Sequence, residues 1–161
     1  MSLNTSRRSL LRGRPGPNPS RRPPWTGLDF TDQCTRCGDC VSACPEQVLF
    51  KGDGGFPEIR FGEGECTFCQ ACADVCEAPV FDLTRKAFPW HATPVQPCLA
   101  LNNIHCQSCQ DACDAAAVKF RPALGHVPRP EVDPDLCTGC GACVSVCPVD
   151  GLGLEDASVQ V

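Results

Sequence analysis

The chain has 161 residues, a formal net charge of −5, and 16 cysteines beside 16 prolines and 14 glycines; it has two tryptophans and no tyrosine. Without the cysteines about 52 residues remain for an ordinary core, and Leu, Ile, Val and Phe together make about 22% of the chain, close to the composition at which chains stay disordered. Packing alone therefore does not hold this chain, and the cysteines must take part. No apolar run approaches the roughly 18 residues of a membrane-spanning helix, which excludes one.

Charge is divided unevenly. Residues 1–22 carry Arg7, Arg8, Arg12, Arg14, Arg21 and Arg22 and no acid, whereas the remainder holds 8 Lys/Arg against 19 Asp/Glu, a balance of −11. With Pro15, Pro17, Pro19, Pro23 and Pro24 and no apolar periodicity, residues 1–26 read as a flexible basic arm. Its candidate partner-binding residues are Arg7, Arg8, Arg22 and Trp25. Trp25 stands on the stiff Pro23-Pro24 stem and is expected to dock on a partner or to pack on the first domain, packing being favoured because Trp is usually largely buried. The acidic body and the lack of a recognised motif argue against a nucleic-acid partner. Ser6-Arg7-Arg8-Ser9-Leu10-Leu11 has the look of a twin-arginine export signal, but Arg12-Gly13-Arg14-Pro15-Gly16-Pro17 stands where its apolar segment should be. The expected location is the cytoplasm, where clustered cysteines are metal ligands or catalytic thiols rather than cystines.

The cysteines form four groups of four. Cys34, Cys37, Cys40 and Cys44 read C-x2-C-x2-C-x3-C followed by Pro45, and Cys137, Cys140, Cys143 and Cys147 repeat this with Pro148. Cys66, Cys69, Cys72 and Cys76 keep the spacing, with the proline two places late at Pro79. Cys98, Cys106, Cys109 and Cys113 keep the later intervals, but seven residues, Leu99 to His105, separate the first two, and Asp114 stands where proline would be. The spacing is that of bacterial ferredoxins, whose 4Fe-4S cluster takes three cysteines from one motif and the fourth from its neighbour. The x2 intervals wrap a tight loop round the cluster, and the x3 step carries the last thiolate into a short helix that faces the other cluster. Zinc would want pairs of C-x2-C in tetrahedral sites, without a third evenly spaced cysteine. The expected cofactors are thus three 4Fe-4S clusters and, on the stretched motif, a fourth.

The spaces between motifs read the same way. Val48-Leu49-Phe50 and Phe56-Pro57-Glu58-Ile59 flank Gly52-Asp53-Gly54-Gly55, a hairpin turn between two short strands. Ala116 to Phe120 and Val127 to Val132 bracket Gly125 in a similar layout. The fold class is therefore α+β, with two tandem bacterial ferredoxin-like two-cluster modules, residues 27–86 and 87–161, built of small strands and short helices. Adjacent pairing assigns Cys34, Cys37, Cys40 and Cys76 to one cluster and Cys66, Cys69, Cys72 and Cys44 to the second. By the same rule Cys98, Cys106, Cys109 and Cys147 hold a third, and Cys137, Cys140, Cys143 and Cys113 a fourth. Short connections favour this pairing; nested pairing, motif one with four and two with three, is the alternative the spacing leaves open.

His91, His105 and His126 are isolated, no nucleophile–base set stands out, and no phosphate-cradling or dinucleotide glycine pattern is present. An accessory or electron-transfer role is expected rather than an enzyme's. Four clusters of core charge +2 with their thiolates would bring the body to about −19, which favours low potentials.

Ser6-Arg7-Arg8 with Leu11 and Gly13, the segment Arg22-Pro23-Pro24-Trp25, and a third motif opening Cys98-Leu99-Ala100 give the whole chain a resemblance to the NapF family, ferredoxin-type accessory proteins of the periplasmic nitrate reductase system. That resemblance implies a cytoplasmic iron–sulfur protein that binds the reductase's catalytic molybdenum subunit before export and helps load or maintain that subunit's own 4Fe-4S cluster. A plain electron carrier between redox partners is the other reading.

Overall fold

The computed structural model describes residues 21–62 and 64–156; Arg7 and Arg8 lie outside them. The described elements are α1 (Phe30–Gln33), α2 (Asp39–Ala43), β1 (Leu49–Lys51), β2 (Pro57–Ile59), α3 (Ala71–Asp74), β3 (Trp90–Pro94), α4 (Ser108–Asp111), β4 (Val118–Ala123), β5 (His126–Val132), α5 (Ala142–Ser145) and β6 (Leu152–Asp156). Short helices and small antiparallel sheets make a ferredoxin-like α+β fold.

Every helix from α2 onward that follows a cysteine triplet is a single turn, too short to be stable alone. In each, the third cysteine of a motif lies inside the turn and is buried: Cys40, Cys72, Cys109 and Cys143. The expected hairpins form. Leu49 pairs with Ile59 and Lys51 with Pro57 across a single 3-10 turn, Asp53–Gly55, in which Gly54 supplies the left-handed residue at φ 72°. In the second half Val118 pairs with Val132 and Phe120 with Pro130, with an irregularity between Arg121 and Ala123 ahead of the Gly125 turn.

A third sheet was not anticipated. β3 precedes motif three, β6 follows motif four, and they pair antiparallel from Trp90 with Asp156 to Pro94 with Leu152. The first half repeats this in miniature: Thr26 bridges Phe81, the Trp25 amide donates to the Ala87 carbonyl at 2.9 Å, and the Asp82 amide donates to the Trp25 carbonyl at 3.0 Å. Trp25 and Trp90 therefore hold similar places, each beginning the segment that closes its half, through a single bridge in the first and a strand in the second.

The basic arm consequently does not run to residue 26. Residues 21–26 are part of the body: the Ile59 amide donates to the Arg21 carbonyl at 2.9 Å, Pro23 is among the largest fully buried side chains, and Trp25 is 8% exposed. The prolines that read as linker fit here because a proline tolerates an edge position where no N–H is needed.

One aromatic core runs through both halves. Trp25 meets Phe68 edge-on at 6.2 Å, Phe68 meets Phe88 at 6.0 Å, and Phe88 stacks on Trp90 at 4.6 Å and 22°. Phe61 adds a T-shaped contact to Phe88. Ring pairs in these geometries contribute about 0.5–1.5 kcal/mol each beyond area burial, so these three phenylalanines and two tryptophans do much with little.

Candidate metal centres

The structure gathers the sixteen cysteines into four cavities. Cavity 1 is lined by Cys34, Cys37, Cys40 and Cys76; cavity 2 by Cys44, Cys66, Cys69 and Cys72; cavity 3 by Cys98, Cys106, Cys109 and Cys147; cavity 4 by Cys113, Cys137, Cys140 and Cys143. This is the adjacent grouping, not the nested one. The cavity on the stretched motif gathers four cysteines as the other three cavities do, so the stretched motif builds a centre comparable to theirs. All sixteen cysteines are free thiols.

Three and one ligands per cavity follow from local backbone. In motifs one, two and four the middle cysteine is flanked on both sides by left-handed residues: Arg36 and Gly38 about Cys37, Phe68 and Gln70 about Cys69, Gly139 and Gly141 about Cys140. Alternating handedness turns successive amide N–H groups to one side, forming a concavity that suits anions and iron–sulfur groups. Arg36, Phe68 and Gln70 adopt it without glycine's freedom, at about 1–2 kcal/mol each. Cys106 lacks this frame, because neither His105 nor Gln107, at φ −134°, is left-handed.

The fourth cysteine leaves through a turn. Gln47, Ala116 and Asp150, each three places after its cysteine, are left-handed, and the Ala116 amide donates to the Cys113 carbonyl at 2.9 Å. The next amides then reach sulfur: Ala117 donates to Cys113 Sγ at 3.3 Å and Gly151 to Cys147 Sγ at 3.0 Å. Proline follows the fourth cysteine at this exit in motifs one and four, and Asp114 in motif three. Asp114 holds the same turn as Pro45 and Pro148, since the second position of such a turn accepts Asp as well as Pro. The departure falls on motif two instead, whose late Pro79 cannot be left-handed; there Cys76 Sγ donates to the Ala78 carbonyl at 3.4 Å.

The seven-residue interval of motif three is also not the floppy span its length implied. Asn102 Nδ2 donates to the Cys98 carbonyl at 2.8 Å and to Gln96 Oε1 at 2.9 Å, Asn103 Oδ1 accepts from the Val127 amide at 3.0 Å, and the Ile104 amide donates to the Leu99 carbonyl at 2.9 Å. Cys98 is buried. Asn102 closes the loop on itself by bonding local backbone, and Asn103 ties it to the second hairpin.

The electrostatics fit a cationic polynuclear group. Burial, then the neighbouring Cys37, Cys34 and Cys76, push the Cys40 thiol up from 9.0 to about 11. Burial and then Cys66, Cys40, Cys44 and Cys69 push Cys72 up to about 12; burial leads for Cys109, at about 11, with Cys98, Cys106 and Cys147 also raising it, and for Cys143, at about 12, followed by Cys137, Cys140, Cys109 and Cys113. Four thiolates crowded round one space repel one another and need positive charge among them. The sulfurs line a space rather than meet at a point: among the described residues no three His, Cys, Asp or Glu side chains are placed to hold a single metal ion. That suits a 4Fe-4S cube with four thiolate ligands better than tetrahedral zinc.

The other candidates take different places. Trp25 and Pro24 wall cavity 2, and the Arg22 guanidinium lies 4.9 Å from the Phe30 ring and 5.6 Å from that of Phe56. Both arm residues thus pack on this chain. His105 and His126 are exposed, whereas His91 is half-buried and its Nδ1 lacks a hydrogen-bond partner.

The fold and the four thiol quartets define an iron–sulfur protein of the ferredoxin type. The 4Fe-4S dicluster domain matches residues 33–80 and 104–150, one copy in each half. The ferredoxin-type protein NapF of Escherichia coli strain K12 is 39% identical over 159 residues, 96% of this chain and 97% of that one. The NapF of Haemophilus influenzae is 48% identical over 139 residues, 84% and 78%, and the methylamine utilization ferredoxin-type protein MauM of Methylobacillus flagellatus 31% over 175 residues, 95% and 73%. The chain belongs to the NapF family of ferredoxin-type proteins. Among the described residues no helix is long and apolar enough to cross a membrane.

Proposed function

We propose that the chain binds four 4Fe-4S clusters, one per cavity, and serves in the cytoplasm as an accessory protein that assists iron–sulfur assembly in the catalytic molybdenum subunit of periplasmic nitrate reductase before export. The observation that carries the cluster count is that the stretched motif closes a cavity as complete as the other three. Such clusters, when bound, supply one-electron chemistry whose potential is set by charge, hydrogen bonds to sulfur and exposure. The chain's own part is to present deprotonated thiolates, to aim the amides of Ala117 and Gly151 at sulfur, and to exclude water from the third cysteine of each motif. The family resemblance supplies the partner.

Anaerobically purified protein is expected to hold about 16 iron atoms per chain, four for each cluster, and to co-purify with the molybdenum subunit. About 12 iron atoms would leave one cavity without a cluster, and failure to retain the subunit would remove the assembly role. The electron-carrier reading is favoured by the direct contact of the two halves at the rims of cavities 2 and 4, where the Cys66 amide donates to the Cys140 carbonyl at 2.8 Å. It predicts four firmly held clusters with no loss on mixing with the immature subunit.

A further inference from the structure

Resting on the four-cluster reading, we propose that the cavities form one file in the order 1–2–4–3, joined between the halves by the backbone contact of Cys66 with Cys140. The inner cavities, one from each half, are then nearest neighbours although their motifs lie far apart in sequence.

Within each half the helices set the order. Cys40, inside α2, faces cavity 1, and Cys44, capping the same turn, faces cavity 2; Cys72, inside α3, and Cys76, two residues past its end, do the reverse. One helical turn advances about 5.4 Å, so one short element touches both spaces. α4 and α5 repeat this for cavities 3 and 4 with Cys109, Cys113, Cys143 and Cys147.

Between the halves the contacts converge on the inner pair. The Cys66 amide, on the rim of cavity 2, donates to the Cys140 carbonyl, on the rim of cavity 4, at 2.8 Å. Trp90 Nε1 donates to the Gly139 carbonyl at 3.1 Å. Gly141 lies so close to Phe61 that a Cβ there would stand 2.1 Å from the ring, and its φ of +87° is one that side chains rarely adopt. Arg21 straps the same seam: its carbonyl accepts from Ile59, its guanidinium donates to the Leu154 carbonyl at 2.8 Å and sits 5.2 Å from the Trp90 ring. These residues of motif four border cavity 4, and Cys66 borders cavity 2, so the seam presses the two inner spaces together and leaves cavities 1 and 3 at the ends.

Two double variants of the full-length holoprotein, reduced with dithionite, test the order by electron paramagnetic resonance. C37A with C106A removes a ligand from each end cavity, and the remaining reduced clusters are expected to show spin–spin splitting. C69A with C140A spares only the ends, and a simple sum of two unsplit signals is expected. An unsplit spectrum from the first variant, or a split one from the second, overturns the order. Iron content reads the underlying assignment separately: a value other than half that of the unaltered protein counts against four clusters, not against their sequence in space. Hydrogen exchange of the unaltered holoprotein needs no variant. The Cys66 amide, whose acceptor lies across the seam, is expected to exchange at least about a hundredfold more slowly than the exposed Gly125 turn. Exchange as fast as that turn overturns the proposal.

Discussion

Gly151 lies with its backbone against that of Cys98: a Cβ at Gly151 would stand 2.6 Å from the Cys98 Cα and 2.9 Å from its N and Cβ. The contact brings the residue that donates to Cys147 Sγ onto the first ligand of the same cavity. Backbone atoms have no way to rotate aside, so G151A should displace Cys98 and lower iron by about one cluster in four. G62A, at an exposed glycine with nothing within 4 Å, is the matched control and should leave iron unchanged. Colorimetric iron per chain decides between them; equal content in both variants would show that the contact is relieved elsewhere.

Removing residues 1–20 and removing residues 1–26 should have opposite consequences. The shorter deletion spares Arg21, Pro23 and Trp25 and should retain all iron, whereas the longer one strips the closing segment of the first half and a wall of cavity 2. W25A alone should cost about 3–5 kcal/mol, the usual range for a buried aromatic truncated to Ala. Thermal denaturation of the anaerobic holoprotein gives the cost, and iron content the loss.

Iron release should begin at cavity 3, from the Cys106 side rather than the Cys98 side. Cys98 is buried and its loop is tied by Asn102, but Cys106 lacks the left-handed neighbours that frame Cys37, Cys69 and Cys140. C106S should therefore remove a cluster already prone to leave, while C37S should cost cavity 1 a cluster that is otherwise firmly held, because Cys37 sits in a complete frame. Stepwise chelation followed by absorbance should show one early phase of about a quarter of the amplitude; a single all-or-none phase counts against it.

Without clusters the chain should lose most of its helical and sheet signal in circular dichroism, since so small an apolar core does not offset the entropy of ordering. Any structure that survives should be sensitive to alkali. Thiols held protonated up to about 11 or 12 at Cys40, Cys72, Cys109 and Cys143 ionise near 9 once unfolded. Their folded values are raised, so their contribution is present below about pH 9 and is lost as pH climbs toward the folded values. The cluster-bound protein should respond in the other direction, with protons displacing iron as pH falls. Melting curves between pH 7 and 10.5 for both forms separate the two.

That each motif supplies three cysteines to one site and the fourth to another could be read from the interval C-x2-C-x2-C-x3-C, but which motifs share was open between adjacent and nested pairing until the fold grouped the cysteines by adjacent motifs. The two hairpins were equally plain, each announced by glycine between apolar runs. The segments opened by Trp25 and Trp90 were hidden: Pro23 and Pro24 disguise one as linker, and β3 pairs with β6 some sixty residues away, beyond any local pattern. The left-handed frames at Arg36, Phe68 and Gln70 carry no glycine to mark them. Asn102 and Asn103 turned a long interval into a tied loop through bonds to Gln96, Cys98 and Val127, the last a partner that only the folded chain brings near.

The crosswise sharing of cysteines has a consequence for the order in which a growing chain can be completed. Cavity 2 has its last thiol when Cys72 has been made, and cavity 1 must wait for Cys76; cavity 4 is complete at Cys143 and cavity 3 only at Cys147. Synthesis from the amino end therefore furnishes the inner member of each pair first. The outermost sites, the ones that the ends of the file present to the outside, are the last in each half to acquire a full set of ligands.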